Sequence, residues 1–98
     1  MNDLLSRTAA YANEYVSALP NRPVAARANL EQLRRAFDEP LPAGPVEPAT
    51  VVDQLVAAAE PGVVATGSPR LFRFVIGGAL PAALAADWLT STWDQHAG

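Results

Sequence analysis

The residue types that most often carry out catalysis are scarce in this chain of 98 residues. His96 is the single histidine, cysteine is absent, and all seven basic side chains are arginines, so lysine is absent too. A guanidinium stays protonated and is not a nucleophile, so arginine cannot replace lysine in amine chemistry. Neither a metal site nor a catalytic triad can be assembled around one imidazole. We expect His96 to be exposed to solvent.

Two glycines and two carboxylates are the next candidates for a ligand site. Gly77 and Gly78 precede a predicted helix, where glycine lets backbone N–H groups approach a phosphate. Their spacing fits neither the dinucleotide fingerprint nor the P-loop, and Pro81 removes one donor, so a plain turn is the favoured interpretation. Asp87 and Asp94 share a predicted helix face, but spacing alone does not establish the burial that a catalytic pair needs. We interpret them as solvated charges.

Two arginines and two tryptophans complete the set of side chains with chemical potential. Arg70 and Arg73 flank a predicted strand and could hold a carboxylate, although a surface role is the favoured interpretation. Trp88 and Trp93 are interpreted as packing anchors, because no basic patch accompanies them as it would in a nucleic-acid platform.

The hydrophobic pattern predicts a mainly α-helical fold with one short strand. About four helices are predicted, at about 2–19, 26–37, 48–59 and 81–94, with the strand near 71–76 and a proline-rich linker at 39–47. Pro20 is expected to end the first helix, and Pro48 suits the first turn of the third. We treat residues 1–98 as a single helical segment.

Composition narrows the classes of partner. The formal net charge is −3 and charged residues are 17% of the chain, so the basic surface that supplies nucleic-acid affinity is missing. The longest uncharged run, residues 74–86, is shorter than the roughly 20 apolar residues that span a bilayer, and the N-terminus does not resemble a signal peptide. With no cysteine for disulfides, a cytoplasmic location is expected. Neither nucleic acid nor membrane is expected as a partner.

One part of the chain carries a family resemblance. Its specific motifs are Ser68-Pro69-Arg70, Phe72, Phe74-Val75-Ile76-Gly77-Gly78, Leu80-Pro81, Ala85-Ala86-Asp87-Trp88 and Trp93-Asp94-Gln95. Together they resemble the N-terminal region of the pyridoxal-phosphate-dependent group II amino-acid decarboxylases, the aromatic-amino-acid and glutamate decarboxylase type. Residues 15–24 are similar to that family's helix end and Arg-Pro-Val connector, and residues 47–62 to the helix before its pocket segment.

The resemblance implies the N-terminal segment of an α/β enzyme of the pyridoxal-phosphate-dependent transferase type, truncated before its large cofactor domain. In that family the N-terminal helices clasp the partner subunit of a homodimer, and the large domain supplies the lysine that holds pyridoxal phosphate. This chain has no lysine, so we expect it to bind no cofactor alone and to be inactive by itself. The family's catalytic residues lie in the large domain, so none is assigned to this chain, and no metal-binding residue is assigned either. The amino-acid substrate would bind only to the full-length enzyme.

The same resemblance implies a role in the substrate pocket for the strand and the turn after it. The residues concerned are Phe72, Phe74, Val75, Ile76 and Gly77. From the residues alone they are an apolar strand and its turn, which is a common place for a ligand. Two positions depart from the family pattern, since Leu71 stands where an aromatic residue is usual and Arg73 where glycine is usual. Arg73 puts the local backbone of the pocket in doubt.

Two functions from different classes therefore follow from the sequence. The first is a dimerisation and substrate-pocket segment of an amino-acid decarboxylase. The alternative is a free-standing small helical module for protein interaction, without catalysis. A continuing reading frame that encodes a lysine-bearing domain would favour the first, and a cooperatively folding isolated chain would favour the second.

Overall fold

The structure, a computed structural model, describes residues 2–65 and 80–96. Over these residues the chain forms four α-helices and a 3-10 turn: α1 (Asn2–Ala18), α2 (Leu30–Phe37), α3 (Pro48–Ala59), the turn Glu60–Gly62, and α4 (Pro81–Trp93). The prediction of a mainly helical fold is confirmed for this part of the chain. The strand predicted near 71–76 lies outside the described residues.

Helix α1 ends at Ala18, one residue before the predicted position. Past this point the carbonyl of Ala18 accepts from the backbone N–H groups of Asn21, at 3.0 Å, and Arg22, at 2.8 Å, which closes the helix with a turn. Pro20 lies in that turn and has no N–H group to continue the helical ladder. The connector that follows is held by tertiary contacts rather than by regular structure.

Helix α2 begins at Leu30, so the prediction that it begins near residue 26 is wrong. Asn29 occupies the N-cap position, and its side chain accepts from the backbone N–H of Gln32 over 2.8 Å. The Gln32 side chain in turn accepts from the backbone N–H of Asn29 over 2.9 Å. This reciprocal capping box satisfies two donors that the helix itself leaves free, which fixes the start of α2.

The residues just before this cap bind another part of the chain instead of extending the helix. The backbone N–H groups of Arg27 and Ala28 both donate to the carbonyl of Pro61, over 2.7 and 3.0 Å. These donors would otherwise need partners near the start of a longer helix. The tertiary bonds therefore explain why the hydrophobic pattern between residues 26 and 29 does not become helical.

Helix α3 covers the residues predicted for it and forms the centre of the arrangement. Pro48 occupies its first turn, and Pro61 lies in the 3-10 turn that prolongs it by three residues. Helices α1 and α2 both pack on α3, while α4 packs to a comparable extent on no other described helix. The linker at 39–47 contains no helix or strand, as its four closely spaced prolines predict.

The described helices bury very little apolar surface. Among the described residues, the single fully buried apolar side chain is Ala65, which lies after the 3-10 turn, whereas Leu55, Leu30 and Trp93 in the helices are 55%, 64% and 63% exposed. The radius of gyration is 15.9 Å, against about 13 Å for a compact chain of this length. The accessible surface is 8081 Å², where a compact monomer of 10.3 kDa would have about 5,400 Å². The helices thus form an open arrangement.

Candidate functional site

The residues that the sequence assigned to a substrate pocket cannot be placed in this site. Phe72, Phe74, Val75, Ile76 and Gly77, together with Arg70, Arg73 and Gly78, all lie outside the described residues. Their assignment to a pocket wall stays a prediction.

The other sequence candidates lie on or after α4 and do not converge. His96 is exposed, as expected. Asp94 caps α4 in the left-handed conformation, with φ 48°, and its N–H donates to the carbonyl of Thr90 over 3.3 Å. Asp87 is exposed on the helix itself. Across residues 2–65 and 80–96, no three His, Asp or Glu side chains come together in an arrangement that could hold a metal ion.

The structure instead brings together two charged clusters that the sequence had not singled out. The first, named the Asp53 cluster, joins α1 to α3. Arg7 Nε donates to Asp53 Oδ1 and Arg7 Nη2 to Asp53 Oδ2, both over 2.7 Å, which is a two-pronged pairing. The hydroxyl of Tyr11 donates to Asp53 Oδ1 over 2.6 Å. One carboxylate therefore holds two successive turns of α1.

The electrostatics of the Asp53 cluster follow from these bonds. The hydrogen bonds from Arg7, and after them the bond from Tyr11, hold the pKa of Asp53 below its usual value. The hydrogen bond to Asp53 raises the pKa of the Tyr11 phenol, because only the protonated phenol can donate that bond. Tyr11 therefore stays protonated near neutral pH and acts as a donor rather than as a base.

The second, named the Glu60 cluster, lies where the chain leaves α3. Arg22 Nη1 donates to Glu60 Oε1 and Arg27 Nη2 to Glu60 Oε2, so each carboxylate oxygen has its own guanidinium. Arg22 Nη2 also donates to the carbonyl of Glu60 over 2.9 Å. The hydrogen bond from Arg22 is the largest of the causes that lower the pKa of Glu60. The side chain of Arg22 is only 9% exposed.

Arg22 also contacts an aromatic ring. Its guanidinium carbon lies 5.1 Å from the centroid of the Tyr15 ring, within the range of a cation–π contact. Arg7, Tyr11 and Tyr15 follow one another at intervals of four residues, so they occupy one stripe of α1. Each of the three makes a polar or cation–π contact with a described residue outside α1.

A cleft of about 480 Å³ lies beside the Glu60 cluster. It is lined by Tyr11, Glu14, Tyr15, Ala18, Asn21, Arg22, Pro23, Arg27 and Glu60. None of these is a serine, histidine, cysteine or lysine, so the cleft offers none of the common pairings of nucleophile and base. The arginines in its wall already bind Glu60, which leaves them less positive charge for an anionic ligand. The arrangement is suited to holding elements together.

Pyridoxal phosphate has no point of covalent attachment on this chain. The chain supplies no lysine for its covalent attachment, and the two arginines that line the cleft, Arg22 and Arg27, bind Glu60. If this chain takes part in chemistry with that cofactor, another polypeptide segment must hold it.

Sequence reasoning missed the clusters, although two signals for them were present. Arg7, Tyr11 and Tyr15 repeat at the spacing of one helix face. Asp53 interrupts the otherwise apolar start of α3, where a charge needs a partner if that face is packed. Neither signal reveals which residue is the partner, because the partners lie 33 to 46 residues apart.

None of the helices in the described part of the chain is long and apolar enough to cross a bilayer. Comparisons with protein-family models, with curated proteins and with solved structures find no match to this chain.

Proposed function

We propose that this chain is an assembly segment, which contributes dimerisation helices and part of a substrate pocket to a pyridoxal-phosphate-dependent amino-acid decarboxylase, and that it is inactive alone. The observation that carries the assembly role is the shortage of buried apolar surface. Among the described residues only Ala65 is a buried apolar side chain, while Val51 and Leu55 of α3 are 49% and 55% exposed. Helices that carry such residues need a further surface to pack against.

The resemblance of residues 68–95 to group II decarboxylases supports the choice of enzyme class. The order of elements is consistent with it, since a helix, an Arg-Pro-Val connector and a helix over residues 47–62 come before the motif-bearing part. In this proposal the segment belongs to a carboxy-lyase of the cytoplasm, and its partners are a second subunit and a large cofactor domain. Nucleic acid and membrane are not partners.

The residues of this chain determine which functions it can supply and which the large domain must supply. Without lysine it cannot hold the cofactor covalently, so the lysine-bearing domain supplies the electron sink that decarboxylation requires. This chain would contribute apolar walls that select the amino-acid side chain, through Phe72, Phe74, Val75, Ile76 and Gly77, and helices that hold the subunits together. Which amino acid is selected depends on the rest of that pocket.

A free-standing interaction module is the second candidate, and the same exposed apolar residues favour it. The two differ in what the isolated chain does. An assembly segment should associate and melt without a sharp transition, because its core is completed by another surface. A module should fold as a monodisperse monomer with a cooperative transition.

The pocket role is tested by grafting residues 66–98 into a decarboxylase of this class and substituting Phe74→Ala. A side chain that faces the substrate should change the preference among amino acids by about 1–3 kcal/mol and leave cofactor absorbance intact. A purely packing side chain would instead cost about 3–5 kcal/mol of stability and lower activity toward every substrate alike. The latter result would contradict the pocket assignment. Arg73→Gly is the companion variant and should raise activity if the arginine obstructs the pocket.

The isolated chain provides an independent test. Mixed with pyridoxal phosphate and then borohydride, it should yield no stoichiometric adduct within the chain, because its one amine is the N-terminal group. A defined internal adduct, or release of carbon dioxide from any amino acid, would overturn the proposal that the chain is inactive alone.

A further inference from the structure

The point where the chain leaves α3 is held by one arginine that reaches several acceptors. Arg22 donates to the carboxylate of Glu60, to the carbonyl of Glu60 over 2.9 Å and to the carbonyl of Val63 at 3.5 Å. The planar guanidinium presents several N–H donors in a fixed fork, so one side chain can hold a carboxylate and backbone carbonyls together. Arg22 thereby spans the turn that follows α3.

The backbone of the connector reinforces the same point. The N–H of Ala65 donates to the carbonyl of Val24 over 2.9 Å, and the N–H groups of Arg27 and Ala28 donate to the carbonyl of Pro61. Ala65 has no exposed surface. Residues 60–65 are therefore bound along their length by residues 22–28, although neither stretch forms a helix or strand with the other.

Arg22 also connects this point to α1, because its guanidinium lies over the ring of Tyr15. Tyr15 is half-buried on the stripe of α1 that carries Arg7 and Tyr11. Helix α1 and residues 60–65 thus both contact this one side chain, in addition to the other bonds that hold each of them.

We infer that Arg22 is a positioning residue, which fixes the direction in which the chain leaves α3 toward residues 66–79 and ties that direction to α1. The inference deepens the proposed function and rests on it, since there the helices hold the subunits together and residues 66–79 contain the pocket segment. Arg22 then links subunit assembly to the place from which the pocket wall begins. Lysine at this position would keep the charge but lose the fork.

The test uses the whole chain with two spin labels. Cysteine is absent, so Thr50→Cys and Val64→Cys provide unique attachment sites, one on α3 and one after it, and both native side chains are exposed. The distance between the labels should be narrowly distributed with Arg22 in place. Arg22→Gln and Arg22→Lys should both broaden or shift that distribution while the helical circular dichroism is retained.

Two further variants make the result specific to the fork of Arg22. Arg7→Gln removes an equal charge and an ion pair from α1, and it should leave the distance between the labels unchanged. The pair Arg22→Glu with Glu60→Arg restores opposite charges but not the bonds from Arg22 to backbone carbonyls, so it should not restore the narrow distribution.

Several outcomes would overturn the inference. They are an unchanged distance in Arg22→Gln, a full rescue by Arg22→Lys, an equal broadening in Arg7→Gln, and a loss of helix content in both Arg22 variants, which would make Arg22 a general folding residue. Failure of the decarboxylase proposal would appear in the grafting experiment and not here, because the label distances are measured on this chain without cofactor or substrate.

Discussion

At the scale of single residues, two carboxylates account for most of the hydrogen bonds between side chains from distant parts of the described chain. Asp53 binds Arg7 and Tyr11, and Glu60 binds Arg22 and Arg27. Arginine suits this use because its fork holds a carboxylate with two parallel bonds. The side chains of Arg7 and Asp53 are 53% and 34% exposed, so solvent screens the attraction between them. The pair therefore contributes little to stability and acts mainly by orienting α1 against α3.

The first prediction concerns acid. The pKa of Asp53 is lowered in the folded chain, so its contribution to stability is present above its unfolded pKa of about 3.9 and is lost as the pH falls further. Asp53→Asn should therefore lower stability at pH 7 more than at pH 3. Urea unfolding at the two pH values, followed by circular dichroism, measures this difference. Glu60 remains in the variant, so some acid sensitivity should persist.

The matched control is Asp87→Asn on α4, since Asp87 makes no ion pair with any residue that the structure describes. It should change the stability at pH 7 and pH 3 by similar small amounts. If Asp53→Asn behaves in the same way as Asp87→Asn, the Asp53 cluster does not stabilise the fold.

At the scale of elements, some helix ends are set by residues within the helix itself, and others are set by tertiary contacts. The bounds of α3 could be predicted because Pro48 and Pro61 are signals within the element itself. The start of α2 could not, because the carbonyl of Pro61, far away in sequence, takes the N–H donors of Arg27 and Ala28. The packing of α1 on α3 could not be predicted either, since the helical spacing of Arg7 and Tyr11 identifies a face but not its partner.

The second prediction concerns the cap of α2, a helix of only eight residues. Asn29→Ala removes the acceptor for the backbone N–H of Gln32, and loss of such a cap costs about 1 kcal/mol. A helix this short is not stable by itself, so loss of the cap should move its amide and Cα chemical shifts toward coil values. Asn21→Ala, outside any helix, serves as the control. Unchanged shifts over residues 30–37 would show that packing alone maintains α2.

The third prediction concerns the contact between α2 and the turn after α3. A Cβ atom at Gly62 would lie 2.6 Å from Leu33 Cδ2 and 2.8 Å from Leu33 Cδ1. Gly62→Ala therefore forces the Leu33 side chain to move and should destabilise the chain by about 1–3 kcal/mol. Equilibrium unfolding in urea measures the change.

Gly44→Ala is the natural comparison for this substitution. Nothing lies within 4 Å of its added Cβ atom, and its φ is not positive. It should be neutral or should stabilise the chain by about 0.4–1 kcal/mol through the unfolded state. Equal effects at the two glycines would mean that Leu33 adapts without cost.

At the scale of the whole molecule, the main feature is a large accessible surface that includes many apolar side chains. The accessible area exceeds the roughly 5,400 Å² of a compact monomer by about half, and large apolar side chains are exposed on α1, α2, α3 and α4. Trp93, interpreted from the sequence as a packing anchor, is 63% exposed, so the described residues do not bury it as that interpretation predicts. Composition could not reveal this, because the apolar fraction of a chain does not indicate which faces meet.

The fourth prediction is that the isolated chain associates. Sedimentation over a range of concentrations should show dimers or larger species, because exposed apolar patches drive association. Leu55→Gln on α3 should weaken it, since Leu55 lies near the exposed Val51 on the same helix. Leu41→Gln should not, although Leu41 is 94% exposed, because it lies alone in the linker. A monomer at every concentration would favour the free-standing module.

The long sequence separations within the two clusters have a consequence for folding during synthesis. Arg7 and Asp53 are 46 residues apart, and Arg22 and Glu60 are 38 apart. Helix α1 leaves the ribosome long before α3, and a helix of 17 residues has marginal stability alone. Once either contact has formed, the loop that the other contact must close is shorter, so the entropic cost of forming the second contact is lower. The two clusters should therefore form together, late and cooperatively, and α1 should await α3 before it takes its final position.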